Sequence, residues 1–318
     1  MLIGQNNEIR KAVVTGATSS IGLYLVKQLG LLGTETFCLV HPGSIKNELL
    51  TGCPNVHMIE CDLKDINADL SKYVPKCDCF FNIGWIKPKN DTKNSDGHLL
   101  NIRYSENAAK LAIALDCNTF IGIGSQSECG NNPDPIDIHS PSNPECSYAR
   151  AKIKAMESTV DVCKVNGVKC IWPRLLSSYG PYDRETTLIM NCIRACYNDI
   201  RLELTPCEQE WDYIYSEDVA RALIAIAING KDGKRYPIAS GNSKPLKEYI
   251  ATIAQVFERD LSIFGIGKKP YPPDQCMHLS ADISELEKDT GFFPSISFKE
   301  GIQHMKQWAD STGYFFNL

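Results

Sequence analysis

Tyr148 and Lys152 stand four residues apart in the stretch SYARAK (147–152). On a helix that spacing puts both side chains on one face. A cation beside a phenol favours the phenolate and lowers its pKa from about 10, which suits a proton donor to, or acceptor from, an alcohol or sugar oxygen. The same spacing is common on ordinary helices, so the pair has to be judged by its surroundings. Upstream, FIGIGSQSECG (120–130) reads as a strand ending in a serine-rich turn. That places Ser125 at the carboxyl edge of a sheet, where ligands collect in doubly wound folds. Its hydroxyl is expected to hydrogen-bond the reacting oxygen beside Tyr148.

A second constellation lies near the start of the chain, where VVTGATSSIG (13–22) closes an apolar run and opens a helical pattern. Gly16 permits a tight turn and Gly22 lets the helix sit close to a sheet. The free amides of the helix start, at Ser20 and Ile21, can receive a pyrophosphate. Where a third, middle glycine would stand there is Ser19, whose hydroxyl, with that of Ser20, is able to donate to phosphate. The segment LVHPGSIK (39–46) lacks the acidic residue that NAD-selective sites commonly turn toward the ribose hydroxyls. His41, Ser44 and Lys46 offer a polar or cationic surround instead, so NADP is expected over NAD, with a solvated loop as the competing reading.

The elements that must position these groups follow a regular rhythm. Residues 11–15, 36–40, 56–60, 79–83, 119–123 and 168–172 read as strands, with helical periodicity over 20–32, 98–116 and 147–165. Such alternation predicts an α/β fold, a Rossmann-like doubly wound parallel sheet with helices on both faces. Beyond 173 the rhythm loosens into helices near 186–198, 217–229, 245–258, 282–290 and 298–310, with a strand at 234–239. The expected division is a dinucleotide-binding domain of residues 1–173 plus about 211–240, interleaved with a smaller substrate lobe of 174–210 and 241–318.

Composition narrows the class. With 318 residues, 43% hydrophobic and 22% charged, the chain is long enough for a sizeable core and ordinary for a globular protein. Its net charge is −5, from 33 basic and 38 acidic residues without a basic stripe, which argues against nucleic acid as a partner. Fourteen cysteines are dispersed without Cys-x-x-Cys or zinc-finger spacing, so buried reduced thiols and no metal site are expected, as suits a cytoplasmic protein. MLIGQNNEIRK at the amino terminus lacks the apolar core of a signal peptide, and the longest apolar run, ALIAIAI (222–228), is too short to cross a bilayer.

Taken together, the ordered motifs resemble the extended short-chain dehydrogenase/reductase family, the branch of nucleotide-sugar epimerases, dehydratases and reductases. TGATSSIG is similar to its cofactor turn, and CDLKD to its Gly-Asp-Leu segment, implying that Asp62 and Leu63 meet the adenine. HLLNIRYSENAAKLA carries Asn101 where members have an asparagine supporting the active-site helix, and GSQSECG puts Ser125 at the catalytic Ser/Thr position. SYARAK supplies Tyr148 and Lys152, while PRLLSSYGP and WDYIYSEDVARAL resemble later family segments. The resemblance implies hydride movement between nicotinamide and a sugar carbon. Tyr148 transfers the proton, Lys152 holds the cofactor ribose and Ser125 orients the substrate. It also implies that Gly84 and Leu175 lie along the cofactor, and that a homodimer forms.

Within that family several reactions compete. Dehydratases of the family carry an acid within the two positions after the catalytic Ser/Thr; here Gln126 and Ser127 stand there and Glu128 comes one place too late, which disfavours dehydration. The GSQSE turn is closer to 4-ketoreductases such as CDP-abequose synthase, so reduction of the 4-keto group of a nucleotide-linked sugar is the expectation. A 4-epimerase retaining NAD is the alternative, and a non-catalytic NADP sensor a third reading. Trp85, Ser127, Ser177 and Trp211 are the expected substrate contacts, Ser177 and Trp211 replacing an asparagine and an arginine of relatives. Arg174, Arg184 and Arg194 are candidates for a replacement diphosphate clamp.

Overall fold

Strand residues sort to two faces with period two, as pleated backbone requires. Val13, Phe37, Leu39, Phe80 and Phe120 pack into one apolar cluster, while Ala12, Val14, Cys38, Val40, Phe81 and Ile121 pack into another on the opposite side. A sheet buried on both faces is the signature of helices on both sides. The computed structural model describes residues 8–88 and 92–315; the first seven residues of the amino-terminal stretch lie outside the described residues.

The elements run β1 (Lys11–Thr15), α1 (Ser20–Leu31), β2 (Glu35–Val40), β3 (Val56–Glu60), β4 (Cys79–Asn82), α2 (Leu100–Ala114), β5 (Thr119–Gly122), β6 (Gly124–Ser125), α3 (Ser147–Val165) and β7 (Lys169–Ile171). The strands form a six-stranded sheet in the order β3-β2-β1-β4-β5-β7, every pairing parallel. Strand order reverses between β1 and β4, and ligands bind at such a switch point in open α/β sheets. The turn after β1, the segment after β4 and the turn after β5 therefore open onto one edge.

Past the sheet come β8 (Arg174–Leu175), β9 (Ser177–Tyr179), α4 (Leu188–Asn198), α5 (Ser216–Asn229), α6 (Leu246–Val256), α7 (Ser284–Thr290) and α8 (Phe298–Thr312). β8 pairs in parallel with β6 and with Pro237–Ile238, so the strand expected over 234–239 shortens to those two residues. The strand expected over 168–172 also shortens: the Trp172 amide turns to Lys234 O at 3.4 Å, and its ring packs over Gly122, where a Cβ would lie 2.0 Å from it. A third cluster, with Ile189, Ile193, Tyr249, Ile250, Ile302 and Met305, joins α4, α6 and α8. There α8 seats Gly301 against the Tyr179 ring, a Cβ on Gly301 falling 2.1 Å from the hydroxyl oxygen. Among the described residues no helix is long and apolar enough to cross a membrane.

Candidate active site

The turn after β1 is shaped for close approach. Gly16 has φ +69°, and a Cβ there would lie 2.8 Å from the Gly84 amide nitrogen; a Cβ on Gly22 would lie 2.2 Å from the Gly16 carbonyl oxygen. Both positions exclude any side chain. Ser19 caps α1: its Oγ accepts from Gly22 N at 3.0 Å and donates to Gly16 O at 2.8 Å. Ser20 Oγ is 2.9 Å from Ser216 Oγ. The expectation that both hydroxyls serve a phosphate therefore changes, because each is engaged within the protein. The donors left for an anion are the first-turn amides of Ser20 and Ile21, which have no carbonyl one turn before them. Bare backbone at a helix start fits a pyrophosphate, so the turn suits a dinucleotide.

The surround of His41 also differs from the expectation of a cationic loop. Ser44 caps a short 3-10 helix and Lys46 is exposed, but Gly43 N donates to Glu60 Oε1 at 3.2 Å and His41 Nε2 lies 3.5 Å from Asp62 Oδ2. β3 runs beside β2, so carboxylates at the end of β3 reach the loop after β2. Reading LVHPGSIK alone misses them. Leu63 presses on Gly84, where a Cβ would meet Leu63 Cδ1 at 2.8 Å, and Gly84 N donates to Thr15 Oγ1 at 3.0 Å.

At the other side of the switch point Ser125, Tyr148 and Lys152 converge. β6 ends on Ser125, α3 begins one residue before Tyr148, and Cys146 caps α3 by accepting from Ala149 N. Ser125 stands near enough to Tyr148 for its hydroxyl to act on the phenol, holding its pKa down. Lys152 is 4% exposed; its Nζ donates to Ile123 O at 2.7 Å and lies 3.8 Å from the Trp85 ring centroid. The expected lowering of the phenol pKa does not appear. Burial pushes Tyr148 up to about 12, against the influence of the Ser125 hydroxyl, and burial pulls Lys152 down to about 7, against the Glu128 charge. Desolvation of each charged form outweighs the influences that oppose it, Ser125 and Arg184 for the phenol and Glu128 for the ammonium.

Sequence reasoning missed what surrounds the triad. Ser125 Oγ donates to Gln126 Oε1 at 3.0 Å and accepts from Ser127 N at 3.2 Å. Glu128 is bonded into the core: its Oε1 accepts from Ser125 N at 3.0 Å and from Trp172 Nε1 at 3.3 Å, and its Oε2 lies 3.5 Å from Arg174 Nε. Glu128 and Arg174 are fully buried, and Arg174 also donates to Ser140 O, so it is no diphosphate clamp. Arg194 pairs with Glu185 and Asn191. Of the three arginines, Arg184 is the one whose charge reaches Tyr148, holding its pKa down.

Asn101 is bonded to the segment after β4. Its amide accepts from Ile86 N at 2.7 Å and donates to Ile86 O at 2.8 Å, clamping the segment after β4 that carries Trp85. These bonds, with one from Nδ2 to His98 O at 3.3 Å, engage both ends of the side chain within the protein. Leu175 is paired with Ser125 through β8 and β6. Ser177 and Trp211 are bonded to each other, Trp211 Nε1 donating to Ser177 Oγ at 2.8 Å. This neutral pair supplies no charge to a diphosphate. Among the described residues no group of three His, Cys, Asp or Glu is placed to hold a metal.

A family model described as the NAD dependent epimerase/dehydratase family matches residues 12–239. The chain belongs to the NAD dependent epimerase/dehydratase family. Within this family the chain is 26% identical over 183 residues to a dTDP-glucose 4,6-dehydratase of Escherichia coli, of which it spans 49% of the length, with 54% of this chain matched. A CDP-abequose synthase of Salmonella muenchen is 24% identical over 302 residues, 93% of this chain and 97% of that protein. Among solved structures, UDP-N-acetylglucosamine 4-epimerase from Methanobrevibacter ruminantium M1 aligns with a TM-score of 0.81 at 25% identity. That alignment covers 96% of this chain and 99% of that one.

Proposed function

We propose that the protein is an oxidoreductase that reduces the 4-keto group of a nucleotide-linked keto sugar, using NADPH. The observation that carries the reading is the meeting of Ser125, Tyr148 and Lys152 at the carboxyl edge of the sheet, opposite the Gly16 turn. When bound, the nicotinamide supplies the hydride equivalent that the side chains lack. Gly16, Ser20, Ile21 and Gly22 would hold the pyrophosphate, Asp62, Leu63, Gly84 and Leu175 would line the dinucleotide, and Lys152 would donate to the ribose. Tyr148, with a pKa raised to about 12, is a phenol at neutral pH, which is the form that gives a proton to a carbonyl oxygen as it is reduced. Ser125 turns its hydroxyl from Gln126 to that same oxygen.

Absence of an acid at positions 126 and 127, with Glu128 directed into the core, argues against dehydration. Similarity to CDP-abequose synthase across 93% of the chain supports the reductase reading. The substrate sits between the sheet edge and the lobe of residues 174–210 and 241–318, against Trp85, Ser127 and Trp211. A homodimer in a reducing cytoplasm belongs to the same proposal, its fourteen cysteines all free.

A second reading, a 4-epimerase that keeps NAD, is favoured by one observation, the carboxylates of Glu60 and Asp62 beside the His41 loop. Denaturing the purified protein and identifying released nucleotide separates the two. An empty site, together with oxidation of added NADPH by a nucleotide-linked 4-keto-6-deoxyhexose, supports reduction. Released NAD with interconversion of C4 epimers overturns it.

A further inference from the structure

Lys152 is a buried ammonium with, among the described residues, one hydrogen bond to protein, to Ile123 O at 2.7 Å. Its next neighbour is the indole face of Trp85, with Nζ 3.8 Å from the ring centroid. An ammonium over an indole is attracted by the ring quadrupole, most strongly where water is excluded. The indole is itself held. Trp85 Nε1 donates to His98 Nδ1 at 3.2 Å, and His98 Nε2 lies 3.1 Å from Thr92 O. A ring that accepts at one nitrogen and donates to a carbonyl at the other is neutral, with its proton on Nε2. His98 is 4% exposed, in the short 3-10 turn Asp96–Leu99 before α2. Both rings meet Tyr148 edge to face, at centroid distances of 5.8 Å for Trp85 and 5.2 Å for His98. Asn101 fixes the backbone one residue beyond Trp85.

We propose that Trp85 and His98 are positioning residues for Lys152: the indole face holds the ammonium charged and in place at the sheet edge, and the neutral imidazole fixes the plane of the indole. The catalytic meaning of this device rests on the reading of Lys152 as the cofactor-holding cation. Physically it answers a problem the site creates for itself, since burial drives Lys152 toward its neutral form. Among the described residues, the titratable groups facing Lys152 are Tyr148 on its own helix and Glu128 from the turn after β6; of these, Glu128 favours the ammonium. A π face adds to that attraction without taking up the N–H donors as a carboxylate would. Of the three donors on the ammonium, one is bound to Ile123 O, so a donor remains for a ligand hydroxyl.

The test uses the dinucleotide-free protein and does not depend on turnover. Subtracting the emission of Trp85→Phe from that of the wild type isolates the fluorescence of this indole, which an overlying ammonium perturbs. The difference is expected to titrate with a midpoint near pH 7, where Lys152 exchanges its proton, and to be flat in Lys152→Met. A difference that is flat in the wild type, or that titrates unchanged in Lys152→Met, overturns the proposal. In His98→Leu the midpoint should fall by about one unit, the scale of a desolvated cation–π contact. His98→Asn, which keeps an acceptor for the indole, should restore it; equal midpoints in all three proteins remove His98 from the assignment. NADPH binding to the wild type, followed by nicotinamide emission, tests the parent reading alone. Absence of binding with the titration intact would sink the oxidoreductase reading and leave the positioning of Lys152 standing.

Discussion

Tyr148 is the residue whose chemistry the proposed function needs most. Tyr148→Phe removes the exchangeable proton while leaving the ring between Trp85 and His98. Turnover should fall by about 10²–10⁴-fold, the usual worth of a positioned acid, with dinucleotide affinity nearly unchanged; single-turnover kinetics and a binding titration check both halves. Ser125→Ala should slow turnover less, because Gln126 and the Ser127 amide stay in place. The triad was legible in the sequence because its parts sit at fixed local offsets, four residues on a helix and the last residue of a strand. Gln126, His98 and the inward turn of Glu128 were not. Their roles come from contacts such as Trp85 with His98 and Glu128 with Arg174, whose pairing no local spacing encodes. The same is true of the loop after β2, whose carboxylates belong to the next strand in the sheet.

Elements set what substitutions the site tolerates. Alanine is favoured over glycine inside a helix by about 1 kcal/mol, yet Gly22→Ala would push a methyl to 2.2 Å from the Gly16 carbonyl oxygen. The steric term wins, so the variant should lose dinucleotide affinity and unfold at lower denaturant. Behind Ser125, the turn over Gln126–Cys129 is closed by Glu128 in a capping box, and that carboxylate is paired with buried Arg174. Glu128→Leu alone strands a buried guanidinium and should cost about 3–5 kcal/mol. Glu128→Leu with Arg174→Met should recover much of it, since replacing both partners leaves no orphan charge. Urea unfolding of the two variants measures the difference. The strands and helices themselves followed from period-two and helical patterning, and the strands of residues 234–239 and 168–172 came out short because Trp172 and the turn near 233 interrupt them.

For the molecule as a whole, pH and thiol chemistry report on the seams. Lys234, between Glu285 and Asp289 at 2.9 and 2.6 Å, ties the segment before Pro237–Ile238 to α7. The hydrogen bond from Lys234, helped by Lys288, holds Glu285 down at about 2; for Asp289, burial pushes up but bonds from Lys231, Lys234 and Tyr236 prevail and hold it lower still. Carboxyls with depressed folded values contribute stability that is whole above their unfolded pKa, near about 4. That contribution fades as pH falls from about 4 toward 2. In Lys234→Met the acid-induced fall in unfolding midpoint over that window should shrink; an unchanged fall would place the acid lability elsewhere. Thiol labelling of the native protein should proceed first at Cys53, Cys146 and Cys276, which are partly exposed, with the buried remainder reacting only on unfolding.

The seat of Gly301 on Tyr179 makes the last helix a keystone for a strand that lies more than a hundred positions earlier in the chain. Ser177, bonded to Trp211, is two residues from that ring on the same strand. A cut before Phe298 would therefore be felt first where substrate is expected to lie, well away from the break. Fusions or proteolysis at this end should show up as altered substrate saturation before they show up as lost secondary structure.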